Sequence, residues 1–138
     1  VLAGAALMKE FRKVHQFNVF CVHTPSQYAI ADYLDDENNY LELNDFFQQK
    51  RDYFVKGLST TKFEMIPAEG TYFVSASYKN YSPLDDKSFA QQLTIDHKVA
   101  TIPFSAFYHD ALNEHVIRFC IAKQAETLDA ALERLNRL

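Results

Sequence analysis

Apolar residues recur at Leu7, Met8, Phe11, Val14 and Phe17, three or four positions apart, with Lys9, Arg12 and Lys13 among them. That spacing predicts an amphipathic helix over residues 5–17. An aromatic and β-branched stretch, Phe17 to Val22, follows it. Thr24-Pro25-Ser26-Gln27 then offers a capping hydroxyl and a proline at the first helical position. A second helix is therefore expected through Tyr28, Ala31 and Leu34, ending at the polar cluster Asp35–Asn39. A third is expected from about Tyr40 to Leu58, with Leu43, Phe46, Phe47, Phe54 and Leu58 facing inward and Gly57 near its end.

The period changes after residue 60. Phe63-Glu64-Met65-Ile66 reads as a strand, Pro67-Ala68-Glu69-Gly70 as a turn, and Thr71 to Ala76 as the strand that completes a hairpin-like pair. A loop from Tyr78 leads to Asp86, expected to cap a helix from Lys87 to about Asp96. Val99 to Ile102 is short and β-like and is ended by Pro103. After the loop Phe104–Glu114 comes a fourth strand-like run, Val116-Ile117-Arg118-Phe119-Cys120-Ile121-Ala122. Thr127 to Leu138 closes the chain as an amphipathic helix, with Leu128, Ala131, Leu132 and Leu135 on one face. Helices followed by a small mixed β/α layer predict an α+β sandwich, its short sheet packed with helices.

Composition narrows the function classes. The net charge is −4 over 138 residues, with no basic stripe and no run of five like charges, which argues against nucleic acid and against a polybasic membrane patch. The apolar runs are too short to span a bilayer. Cys21 and Cys120 lie far apart beside aromatic or β-branched neighbours and read as buried thiols in a reducing compartment, so a cytoplasmic protein is expected. Gly4, Gly57 and Gly70 are the only glycines, and no pair has the spacing of a phosphate-cradling loop. The opening Val1-Leu2-Ala3-Gly4 has neither an initiator Met nor the pattern of a signal peptide, and reads as starting inside something larger.

The chemistry-bearing candidates are few. Arg118 sits between Ile117 and Phe119, and a guanidinium cannot shed its charge when buried. It calls for an anion: either one of the chain's eighteen acids in a core ion pair, or a planar carboxylate ligand that matches its fork of donors. Snorkelling to solvent is the third option. Cys21-x-His23 has no second pair at metal-ligand spacing. Ser59-Thr60-Thr61-Lys62 has the Ser-x-x-Lys spacing without companion motifs, and Asp35-Asp36 and Asp85-Asp86 read as helix-end residues. Asn80-Tyr81-Ser82 has the glycosylation pattern without a secretory context.

Four segments stand in a recognisable order: Thr24-Pro25-Ser26-Gln27-Tyr28-Ala29; Pro67-Ala68-Glu69-Gly70-Thr71-Tyr72-Phe73; Val99 to Tyr108, with Ile102-Pro103-Phe104-Ser105-Ala106-Phe107 at its centre; and Ile117-Arg118-Phe119-Cys120-Ile121-Ala122. From about Ala5 to Leu138 the chain resembles the C-terminal portion of a class I/II, fold type I aminotransferase dependent on pyridoxal phosphate, of the methionine, aromatic and kynurenine aminotransferase branch. The resemblance implies that residues 1–36 are trailing helices of the large, cofactor-binding domain and 37–138 the small C-terminal domain. It implies transfer of an amino group between an amino acid and a 2-oxo acid, in a homodimer. It implies that Arg118 holds the substrate α-carboxylate, with Tyr72 close to the same region and Phe104 near the pocket mouth. The segment Asn18–His23 corresponds to one that often reaches a neighbouring subunit's site, which makes Phe20 and His23 weaker substrate-site candidates.

The family's Schiff-base lysine, its aspartate on the pyridine nitrogen and its phosphate cup lie upstream of the matched region. None of the nine lysines here leads into the Gly-Trp pair of the family's lysine context, and there is no Trp. This chain is therefore expected to hold the carboxylate anchor without the cofactor site and to be inactive alone. The rival expectation is a non-catalytic carboxylate-binding or interaction module.

Overall fold

Alternation along the arginine strand decides which way the sheet faces. In the computed structural model, which describes residues 1–138, this strand is β4 (Val116–Cys120), and β2 (Phe73–Ser77) runs antiparallel beside it with Ser75 opposite Arg118. Val74, Ala76, Ile117 and Phe119 are buried on one face, while Phe73, Ser75, Arg118 and Cys120 on the other are only half-buried. A period of two thus splits an apolar-looking run into a core face and a working face. β1 (Glu64–Ile66) pairs with β2, and the two-residue β3 (Ile102–Pro103) pairs with β4, giving a four-stranded antiparallel sheet in the order β1-β2-β4-β3.

The chain forms two compact units, Val1–Glu42 and Leu43–Leu138. In the second, helices α4 (Leu43–Gly57), α5 (Asp86–Asp96) and α6 (Ala125–Leu135) cover the core face of the sheet. Phe54, Leu58, Phe89, Leu93, Leu128, Leu132 and Leu135 meet Val74, Ile117 and Phe119 there. Each such side chain contributes about 1.5–3 kcal/mol by leaving water. The expected α+β sandwich with a short antiparallel sheet is what forms. The first unit holds α1 (Ala5–Asn18), α2 (Thr24–Leu34) and the one-turn α3 (Asn38–Leu41), and none of the three has a buried residue.

Several local expectations change. The third helix is not continuous from Tyr40: α3 ends at Leu41 and α4 begins at Leu43. Leu43 and Phe46 are exposed, and only the C-terminal half of α4 enters the core, through Phe54. Thr24 does not cap α2 but is its first residue, with His23 in the cap position and no side-chain bond to the helix end. Asp85, not Asp86, caps α5, accepting from the N–H groups of Lys87 and Ser88. β2 begins at Phe73, because Thr71 lies in the left-handed region at φ 67° and breaks the extended run. The expectation of two buried thiols fails at Cys21, which is exposed; Cys120 is half-buried and both are free.

Candidate functional site

Arg118 emerges from β4 among aromatics and no acid. Its guanidinium carbon lies 3.9 Å from the centre of the Phe73 ring and 4.4 Å from that of Phe107. Such cation–π contacts contribute from about 0.5 kcal/mol to about 2 kcal/mol when partly desolvated. The four ion pairs of the chain do not include Arg118, which overturns the core ion-pair reading. Its Nε is buried and has no hydrogen-bond partner. The charge is held in place by two ring faces while donor capacity is left unspent, and a buried donor without a partner costs about 1–3 kcal/mol.

The clamp is assembled from three elements. Phe73 starts β2 and shares the working face with Arg118 through the Ser75–Arg118 pairing. The hydroxyl of Thr71 accepts from the Phe73 N–H at 3.1 Å, so the left-handed residue ahead of the strand helps set where Phe73 begins. Phe107 is the last residue of a single 3-10 turn, Phe104–Phe107, that follows β3. On the sheet, Ile102 of β3 lies directly opposite Arg118.

The other expected site residues are placed less centrally. Tyr72 is 45% exposed and does not touch the guanidinium; its ring is 4.5 Å from Phe73 and 5.9 Å from Phe47. It lines a cleft of about 500 Å³ with Phe47, Arg51, Glu69 and Thr71, where Arg51 is already engaged by Asp52 and the Ala68 carbonyl. Phe104 is half-buried and meets Phe107 edge-on at 6.1 Å, one ring removed from Arg118. Phe20 and His23 belong to the first unit. Phe20 is 78% exposed at φ 66°, and His23 Nδ1 lies 2.9 Å from Ser26 Oγ. Phe73 and Phe107 escaped the sequence reading, although the alternation that buries Val74 already turns Phe73 to the opposite face of the sheet.

The lysines and glycines are scattered along the chain. Eight of the nine lysines are exposed, and the remaining one, Lys50, is half-buried with its Nζ 2.7 Å from the Lys123 carbonyl. Gly4 and Gly70 border open space, and a Cβ on Gly57 would meet Leu132.

The half-buried face of the antiparallel sheet thus carries an arginine that no acid of the chain pairs with. In comparison with known proteins, the family "Aminotransferase class I and II" matches residues 1–135, and the chain belongs to it. A methionine aminotransferase of Escherichia coli is 48% identical over 138 residues, covering 99% of this chain and 36% of its own length. A solved E. coli structure assigned a methionine aminotransferase function superposes with TM-score 0.89 over 99% of this chain and 36% of that one. Human kynurenine–oxoglutarate transaminase 1 is 29% identical, over 99% of this chain and 38% of its own. The chain thus spans little more than a third of the length of these relatives.

Proposed function

We propose that residues 1–138 act as the substrate-anchoring part of a pyridoxal-phosphate-dependent aminotransferase, with Arg118 gripping the α-carboxylate of an amino acid and of its 2-oxo acid partner. The observation that carries this reading is the Arg118 guanidinium, clasped by Phe73 and Phe107 with no internal anion. A carboxylate on that fork fixes one end of the substrate, and fixed orientation is worth several kcal/mol of a reaction barrier, up to about 7–11 kcal/mol in ideal cases. The aromatic walls favour an apolar or aromatic side chain, consistent with the methionine aminotransferase relative. The Schiff-base lysine, the pyridine-nitrogen partner and the phosphate cup are supplied by residues outside 1–138. In this reading residues 1–36 belong to the large domain and residues 37–138 form the small domain of a homodimeric enzyme.

A graft tests it. Residues 1–138 replace the matching segment of the E. coli methionine aminotransferase, and amino transfer from L-methionine to a 2-oxo acid is assayed with pyridoxal phosphate. Activity is expected in the graft. Residues 1–138 alone, incubated with pyridoxal phosphate and borohydride, are expected to yield no stoichiometric lysine adduct. An inactive but folded, cofactor-loaded graft would count against the anchoring role, and an adduct on the isolated chain would overturn the placement of the lysine outside it.

A further inference from the structure

We propose that Asp86 is a positioning residue for the Arg118 grip: through Ser105 it locks the 3-10 turn that lays Phe107 on the guanidinium. The functional meaning rests on the carboxylate-anchor reading above; the geometry does not. Asp86 and Ser105 are the two buried polar residues of the chain, 1% and 3% exposed. Ser105 Oγ donates to Asp86 Oδ1 at 2.6 Å, and the Ser105 N–H donates to Asp86 Oδ2 at 2.6 Å. Both carboxylate oxygens are thus spent on one residue, and no cation pairs with Asp86.

A buried, unpaired carboxylate is costly to keep. Helix α5 does not require it, because Asp85 already caps that end by accepting from Lys87 N and Ser88 N. Position in the first turn of α5 lowers the cost, since the helix N-terminus carries partial positive charge. What Asp86 gains is a fixed Ser105, nineteen positions along the chain. The turn it fixes cannot hold itself. It is one 3-10 turn of four residues, closed by a Tyr108 N–H to Ser105 carbonyl bond of 3.2 Å. Isolated turns of this kind are unstable in water. β3 holds the entry to the turn through Pro103 opposite Ile117, Asp86 holds its second residue, and Phe107 is the residue delivered to Arg118. Asp85 and Asp86 look alike in sequence but do separate jobs.

The test uses the ¹⁵N-labelled chain and reads the Arg118 Nε–H resonance, which ring faces 3.9 Å and 4.4 Å from the guanidinium carbon are expected to shift upfield of the other arginines. Phe107→Leu identifies the contribution of that ring. Asp86→Asn can still accept from the Ser105 N–H and can donate to Ser105 Oγ, so the upfield position is expected to persist. Asp86→Ala and Ser105→Ala are expected to move the resonance downfield, toward its position in Phe107→Leu. If Asp86→Ala does not fold, Ser105→Ala, which deletes a single hydroxyl, decides. Titration with 3-phenylpropionate then links position to grip: a lost hydrogen bond in the lock is expected to weaken carboxylate binding about fivefold in Ser105→Ala. An unmoved Nε–H in folded Ser105→Ala, or a carboxylate affinity there equal to that of a wild-type chain that binds, overturns the proposal. A wild-type chain that shows the upfield shift and its loss in Ser105→Ala but binds no carboxylate supports the lock and overturns the anchor instead.

Discussion

Phe73 and Phe107 give Arg118 what an acid would give in an ordinary core, a reason to stay in one place, without neutralising it. That difference separates a structural arginine from one with donors left over. Arg118 was legible in the sequence because a permanently charged residue in a β-branched run is a local contradiction. Its clamp was legible only in part. Phe73 follows from strand alternation, whereas Phe107 depends on how a 3-10 turn is tied to a distant aspartate, which no local pattern encodes. Replacing Phe73 with Leu preserves apolar bulk and removes the ring face, so stability is expected to fall by about 0.5–2 kcal/mol in urea unfolding. An unchanged midpoint would show that the contact carries no energy. Gly57 makes a second residue-scale case. A Cβ there would lie 2.5 Å from Leu132 Cδ1 within the α4–α6 packing. Gly57→Ala is expected to destabilise, overpacking of about 1–3 kcal/mol outweighing a helix-propensity gain of about 1 kcal/mol. A rise in Tm would contradict this.

Among the elements, α5 shows how adjacent acids diverge. Asp85 accepts from the Ser88 N–H, the Ser88 hydroxyl and the Lys87 N–H, and these bonds hold its carboxyl below the usual range. A depressed folded pKa means that its contribution is complete above the ordinary carboxylate value and is lost as pH falls through the folded one. Asp85→Ala should therefore lower Tm at neutral pH and make less difference in strong acid; an equal loss at both would remove the cap from the account. Tyr78 works in the other direction. Fully buried, stacked on Phe89 at 4.0 Å and donating to the Leu84 carbonyl, its phenol is pushed up by burial and then by Asp86 and Asp85. Its contribution is whole below the ordinary tyrosine pKa of 10.0 and lost as pH rises beyond it. Alkaline unfolding of the wild type should thus be steeper than that of Tyr78→Phe, and superposable curves would contradict the assignment. The paired acids announced a helix start, but their division of labour was out of reach, because only the tertiary fold brings Ser105 to Asp86. α4 was over-extended for a related reason: its apolar residues recur at helical spacing on both sides of Glu42, yet only Phe54 among the helical ones is buried.

For the whole molecule, the α+β class and the order of elements were readable because periods of 3.6 and 2 alternate cleanly along the chain. The two units differ sharply in what they bury. The second has a continuous core, whereas α1 and α2 have no buried residue and leave Leu7 69%, Phe17 86%, Tyr28 70% and Ile30 59% exposed. Apolar surface on that scale seeks cover. The isolated chain is expected to self-associate at micromolar concentration in sedimentation, and the graft to show no such tendency beyond the assembly of its host; a dilution-resistant monomer would remove the argument. Family membership places this architecture in the class I and II aminotransferases. The central claim is that Arg118 grips a substrate carboxylate, and the most direct measurement is the steady-state kinetics of the grafted aminotransferase carrying Arg118→Lys. A lysine keeps the charge and loses the planar fork. KM for L-methionine is expected to rise on the order of 10- to 100-fold, as befits lost charge-assisted bonds, while the cofactor's absorption band and occupancy stay the same. An unchanged KM with full cofactor occupancy would contradict it.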